Sequence, residues 1–226
     1  MSGFKAAVFD MDGTILNTLL DLQGSVNHCL ALYGYPPVGE KEVAAALGNG
    51  AGHLVEALIP GGKADPHYED VLNAHIPYYE EHCDILTGPY EGIIDAMEQL
   101  GEGGVHMAIV SNKGDGAVQE LSARYFKGIV KTAVGEKAGI RRKPAPDTVF
   151  EALRRLDVSP GEAVFVGDTE VDLETARNAG MSCILVSWGF RSRETLEKLG
   201  AEYLVDSAGE MADIILGRQR KTSHKN

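Results

Sequence analysis

The chain has 226 residues, 44% of them apolar and 24% charged, with a formal charge of −12, which suits one large globular domain or a core with a modest insertion. The acidic balance repels phosphate backbones and argues against nucleic-acid binding. No apolar stretch approaches the roughly 18 residues that cross a bilayer, no secretory leader pattern is visible, and Cys29, Cys83 and Cys183 lack both disulfide-framework and zinc-site spacing.

The expectation is therefore a cytoplasmic protein with reduced cysteines and neither a membrane nor a nucleic-acid partner. Whether it is a monomer or a homodimer stays open. The first element is the apolar run 4–9, which reads as a strand and stops in Asp10-Met11-Asp12-Gly13-Thr14. A strand this apolar is covered on both faces, as in parallel α/β sheets, which bind ligands beyond the carboxyl ends of their strands. Asp10 and Asp12 share one face of an extended chain, and like charges that close need a cation or a shared proton. Taken alone, the same residues also suit a helix cap or an Asx-turn, with Gly13 supplying the turn.

The next convincing strand begins only near 105, far beyond what a crossover requires. The interval reads as helices at about 18–33, 40–47, 51–59 and 66–82, separated by Gly34-Tyr35-Pro36-Pro37 and Pro60-Gly61-Gly62. Residues 16–84 are expected to form an inserted helical cap domain, hinged near 14–17 and 85–92, above the paired carboxylates. Residues 1–15 and 85–226 would then form the core domain.

Beyond the insertion, strand-like runs at 105–110, 129–134, 163–166, 183–186 and 202–205 alternate with helical patterns at 91–100, 114–125, 146–156, 170–179 and 207–217. Pro146 suits a first helical turn and Gly180 a helix stop. The alternation predicts a Rossmann-like, doubly wound parallel sheet. The basic stretch 218–226 reads as a frayed end.

Three further segments carry chemistry. Ser111-Asn112-Lys113 follows the second strand, where a hydroxyl, a side-chain amide and backbone N–H groups opening a helix can donate to a phosphate. In Arg141-Arg142-Lys143-Pro144-Ala145-Pro146-Asp147, a lysine ahead of a rigid turn can place its ammonium on a phosphoryl group. Gly167-Asp168-Thr169-Glu170-Val171-Asp172 ends another buried strand with two more acids. Each segment alone also fits a helix cap or solvated surface. Together, Asp10, Asp12, Asp168 and Asp172 form a hard-oxygen set suited to Mg²⁺, with Lys143 and Ser111 placed for phosphoryl transfer.

In the order and spacing of these four motifs, DMDGT at 10–14, Ser111, Lys143 and GDTEVD at 167–172, the chain resembles the haloacid dehalogenase (HAD) superfamily. Within it, the chain is most similar to the phosphoglycolate phosphatase-like group, to which 46–54 and 143–147 also correspond. The resemblance implies a Mg²⁺-dependent phosphatase of small phosphomonoesters, 2-phosphoglycolate first among them, working through an aspartyl-phosphate.

It implies Asp10 as nucleophile, Asp12 as general acid and then base, and Lys143 as charge stabiliser. Metal contacts would come from Asp10, Asp168, the Asp12 carbonyl, and Asp172 directly or through water. Phosphate contacts would come from Gly13, Thr14, Ser111, Asn112 and Lys143, with the cap loop at Asn49 and Gly50 approaching the substrate. A β-phosphoglucomutase-like transferase is an alternative, disfavoured by Leu22 where such enzymes carry histidine; a pyrophosphatase or nucleotidase is another. The dehalogenases lack a carboxylate at the position of Asp12. A Schiff-base role would need Lys41 or Lys63, which read as surface residues. Asn17 departs from the aspartate many relatives carry, and bears on the hinge. His53, Arg191 and Arg193 are candidate anion contacts that read better as structural or solvated side chains.

Overall fold

The computed structural model describes residues 3–218; of the basic tail, residues 219–226 lie outside the described residues. Six strands form a parallel sheet: β1 (Ala6–Phe9), β4 (His106–Gly114), β5 (Thr132–Glu136), β6 (Ala163–Gly167), β7 (Ser182–Val186) and β8 (Tyr203–Val205). Their order is β5-β4-β1-β6-β7-β8. The reversal of winding beside β1 opens a crevice at the carboxyl ends, where such sheets bind ligands.

Alternation along each strand divides the core between two faces. Ala7, Phe9, Ile109, Val166 and Ile184 enter one apolar cluster, with α5 (Ile93–Glu102), α6 (Asp115–Tyr125) and α10 (Ala208–Ile215). Ala6, Val8, Val110, Phe165 and Leu185 enter the other, with α7 (Asp147–Leu156), α8 (Glu170–Ala179) and α9 (Arg193–Leu199). All four residues of β1 are fully buried, which is why that strand reads as continuous apolar sequence. Among the described residues no helix is long and apolar enough to cross a membrane.

Between β1 and α5 the chain forms α1 (Leu19–Leu32), α2 (Glu40–Ala46), α3 (Gly50–Leu58) and α4 (Tyr68–His82). Their apolar faces, including Val26, Val43, Val55 and Val71, join the first cluster. Two two-residue strands mark where this segment leaves and rejoins the sheet: β2 (Leu16–Asn17) pairs antiparallel with β3 (Gly88–Pro89), with Asn17 opposite Gly88. So short a ribbon has no periodicity to read. Asp21 clasps the same junction. Its buried carboxylate accepts from the Leu86 and Thr87 N–H groups at 2.8–3.0 Å.

The structure corrects three expectations. β4 runs on through Ser111, Asn112 and Lys113 to Gly114, with an irregular register after Val110, so these residues do not open a helix. The strand expected at 129–134 begins at Thr132, because Ile129 and Val130 donate back to Phe126 in a turn closing α6. Helix α9 was not anticipated; Ser192 caps it by accepting from Thr195 N–H, and only Leu196 of its residues is buried.

Replacing Asp21 by alanine strands the buried Thr87 N–H and the part-buried Leu86 N–H. The expected outcome is a loss of about 2 to 3 kcal/mol in urea unfolding, with the helical content unchanged.

Candidate functional site

The site gathers where β1, β4 and β6 end. Asp10 follows β1, Ser111 to Lys113 lie on β4, and Asp168 follows β6. Lys143 comes from the loop between β5 and α7, where its bond to Pro144 is cis. Oxygens of Asp10, Asp168 and Asp172 lie within 4.8 Å of one another, and all three residues are buried. Into this cluster Lys143 sends one buried ammonium, 2.8 Å from Asp10 Oδ1 and 2.7 Å from Asp172 Oδ1.

Each acid is held differently. Asp168 accepts from the Thr14 hydroxyl at 3.0 Å and from the Phe190 N–H at 2.7 Å, one bond to each oxygen. Asp172 is the third residue of α8 and closes a capping box with Thr169. Its Oδ2 accepts from the Asp168 and Thr169 N–H groups and the Thr169 hydroxyl, while Oδ1 holds Lys143. Asp12 stands apart: Oδ1 is buried without a well-aligned hydrogen bond, and its partner is the Lys113 ammonium, 3.0 Å away.

Electrostatics follow from this crowding. Burial lifts the Asp10 carboxyl to about 7, opposed by Lys143 and reinforced by Asp172 and Asp12. Burial, then Asp172 and Asp10, lift Asp168 well above the carboxylate range. For Lys143, burial alone would depress the ammonium, but Asp10 and Asp172 together outweigh it and the net displacement is upward. One ammonium among three buried carboxylates leaves an excess of negative charge, and the donors are all hard oxygen. That set fits a divalent cation such as Mg²⁺. Asp10, Asp168 and Asp172 can each offer it an oxygen, although three donors crowd Asp172 Oδ2 and Lys143 meets Oδ1.

Other sequence candidates divide. Ser111 accepts from Lys113 N–H at 3.2 Å, leaving its O–H free to donate into the cavity it lines. Asn112 spends its amide internally: Nδ2 donates to Gly48 O and Lys143 O, and Oδ1 accepts from Lys143 N–H. Thr14 is turned away, with its hydroxyl on Asp168 and its carbonyl accepting from Trp188. Gly13 has φ +82°, and a Cβ there would collide with the Asp168 carboxylate. Its N–H is committed to Leu16 O, so the N–H groups at this turn without an acceptor among the described residues are those of Met11 and Asp12.

A cavity of about 600 Å³ opens over the acids, floored by Asp10, Asp12, Ser111 and Lys143 and roofed by α1, α3 and α4. Gly50 lines it, close against Glu136 and the Asn112 carbonyl. Asn49 does not line it; it sits at the start of α3, and Gly48 takes its place. Lys41 and Lys63 are exposed and outside it, Lys63 pairing with Glu56. His53 lies 3.9 Å from the same Glu56, and Arg193 pairs with Glu197 on the surface.

Two residues with larger parts than the sequence suggested are Arg191 and Lys113. Arg191 grips Glu170 through two nitrogens and donates to Ala44 O and Leu47 O at the end of α2, at 2.9 and 3.0 Å. Lys113 reaches both Asp12 and the Tyr79 hydroxyl of α4. Both contacts join parts of the chain far apart in sequence, so neither had a local signal.

A doubly wound sheet with an acid cluster and a buried lysine at its carboxyl edge defines a phosphoryl-handling α/β hydrolase. The model of the haloacid dehalogenase-like hydrolases matches residues 7–186. The N-acetylmuramic acid 6-phosphate phosphatase of Pseudomonas aeruginosa is 29% identical over 213 residues, covering 93% of this chain and 94% of that protein. A phosphoglycolate phosphatase of Rhodobacter capsulatus is 32% identical over 190 residues, 82% and 85% of the two chains. A crystal structure from Lactobacillus delbrueckii subsp. bulgaricus, of a provisionally named phosphoglycolate phosphatase, superposes with a TM-score of 0.90 at 39% identity, covering 95% of this chain and 99% of that one. The chain belongs to the haloacid dehalogenase-like hydrolase family, and within it to the phosphatases that resemble phosphoglycolate phosphatase.

Because the native state favours the protonated form of Asp10, the stability that group contributes is full below about pH 4 and is lost as pH rises through about 7, and Asp168 is displaced in the same direction. A cation relieves the repulsion between the ionised forms. Added Mg²⁺ is therefore expected to raise the thermal midpoint of metal-free protein more at pH 7.5 than at pH 5, as followed by circular dichroism.

Proposed function

We propose that the protein is a Mg²⁺-dependent phosphatase of small phosphomonoesters that works through an aspartyl-phosphate on Asp10, with 2-phosphoglycolate as the leading substrate. The observation that carries this reading is the convergence of Asp10, Asp168, Asp172 and Lys143 from separate strand ends and loops, beside an Asp12 with an oxygen left short of hydrogen bonds. Residues 16–84 act as a cap domain over a core of 1–15 and 85–226. The three buried free thiols accord with the reducing cytoplasm.

Asp10 and Asp168 would hold Mg²⁺, with the Asp12 carbonyl alongside and Asp172 behind; bound there, the ion supplies positive charge to the phosphoryl oxygens. An Asp10 oxygen attacks phosphorus as the bond to the ester oxygen breaks, and Asp12 gives that oxygen its proton. Asp12 then takes a proton from water, which attacks the same phosphorus, releasing phosphate and restoring Asp10. Lys143 keeps Asp10 aligned and, with the Ser111 hydroxyl and the Met11 and Asp12 N–H groups, meets the phosphoryl oxygens. The helical roof excludes bulk water while this happens.

Leu22 in the cavity wall supplies no imidazole for a mutase-type transfer. A cavity of about 600 Å³ has room for a leaving group larger than glycolate, so sugar phosphates belong in the same screen, beside nucleoside monophosphates and pyrophosphate.

The test is phosphate release across these esters with and without Mg²⁺. Wild type is expected to turn over only with the ion, and Asp10→Asn to release no phosphate while keeping its circular dichroism spectrum. Asp12→Asn is expected to lose about 10² to 10⁴ in kcat. An Asp10→Asn enzyme as fast as wild type overturns the nucleophile, and isomerisation of a β-sugar 1-phosphate in place of hydrolysis overturns the reaction.

A further inference from the structure

Lys113 is used in none of these steps, yet its ammonium lies beside Asp12, the residue read as facing the leaving group. Its side chain is only 5% exposed, and it lines the cavity. An ammonium carries three N–H donors. One faces Asp12 Oδ1 at 3.0 Å and one the hydroxyl of Tyr79, whose ring centroid is 4.1 Å away; the third has no hydrogen-bond acceptor among the described residues. A buried charge short of partners is costly, so what occupies this part of the cavity is selected by it.

The other basic groups around the cavity are occupied elsewhere. Lys143 is bound to Asp10 and Asp172 at the phosphoryl end. Arg142 faces Glu136 at the mouth, 3.6 Å away. His75 bonds the Ser25 hydroxyl through Nδ1, and burial, with Lys113 adding to it, takes its pKa down to about 4, so it is neutral near pH 7. The remaining wall on the roof side is apolar at Leu22, Leu47, Leu54, Leu72 and Ile76, with the Glu80 carboxylate of α4 beside them.

Distances fix where the charge is felt. Asp12 reaches the ester oxygen over one hydrogen bond, about 3 Å, and the Lys113 ammonium lies 3.0 Å from the same carboxylate. Ester oxygen and ammonium are therefore within roughly 6 Å where Oδ1 faces both, and within roughly 8 Å where the ester meets Oδ2. A carboxylate attached to the carbon that bears the ester oxygen, with one hydrogen bond to the ammonium, spans the shorter of these gaps.

We propose that Lys113 sets the specificity of this site by pairing with a carboxylate on the carbon bearing the phosphoester, which selects phosphate esters of 2-hydroxy acids. The inference rests on the reading of Asp12 as the residue that protonates the leaving group.

The experiment compares kcat/KM for 2-phosphoglycolate with that for 2-hydroxyethyl phosphate, which has the same length and no carboxylate, in wild type, Lys113→Met and Lys113→Arg. Turnover of para-nitrophenyl phosphate reports the phosphoryl chemistry separately. Wild type is expected to favour the acid by about 10- to 100-fold, the size of a charge-assisted hydrogen bond. Lys113→Met should bring that ratio to about twofold or less, and Lys113→Arg should restore most of it. Lys113→Gln, which can still donate to Tyr79, gives the same readout if the methionine variant does not fold.

A wild type that shows no preference for the acid overturns the proposal, as does a methionine variant that loses rate equally on both esters. That second result would mean that Lys113 acts only through Asp12, and would leave the phosphatase reading standing. Failure of wild type on all three esters, by contrast, would sink both.

Discussion

Lys143 places one positive charge between two buried carboxylates, 2.8 Å from Asp10 and 2.7 Å from Asp172, and the geometry of the site depends on that charge. Buried carboxylates brought this close would repel, and each would surrender its charge rather than stay ionised without a partner. The single ammonium offsets part of the repulsion at Asp10, which burial lifts to about 7; Asp168, which Lys143 does not touch, is also raised well above the carboxylate range. The protein also fixes the acids with neutral donors: Thr14 and Phe190 for Asp168, the start of α8 for Asp172. Such bonds orient a carboxylate without cancelling its charge, so the cluster stays short of positive charge by construction.

The contacts that build the acid site also seat the helices above it. Asn112 aligns the Lys143 backbone and, with the same amide, holds Gly48 O in front of α3. Arg191 lies next to Phe190, whose N–H holds Asp168, and binds the last carbonyls of α2, which point outward with the negative end of the helix dipole. Lys113 touches Asp12 from below and Tyr79 from above. Lifting the helical segment would break all three, so loss of the roof and disturbance of the site are physically one event.

Much of this was legible locally. Strands β1 and β6 are short, wholly apolar and followed at once by acids, and helix α8 announces itself through the Thr169–Asp172 box and the left-handed Gly180 that ends it. What could not be read depends on contacts across the fold. Thr14 looks like a phosphate donor until the chain brings Asp168, 154 positions away, beneath its hydroxyl. Asn112 looks free until Gly48 and Lys143 arrive on either side of it. Arg191 looks solvated because its partners on α2 lie 144 and 147 positions away. The β2–β3 ribbon is two residues deep, less than one period of any pattern.

The spacing of the DxD pair says that two acids share a face, but not how they divide the work. Hydrogen-bond supply decides that. A carboxylate crowded with donors is held rigid, which describes Asp172 with its four donors. Asp12 receives only an ammonium, which faces its buried Oδ1 without an aligned hydrogen bond. An acid that must give up a proton and take one back within a single turnover needs that freedom, since every fixed donor would have to be displaced at each step. Few donors at Asp12 and many at Asp172 would suit side chains of identical chemistry to the different tasks proposed for them.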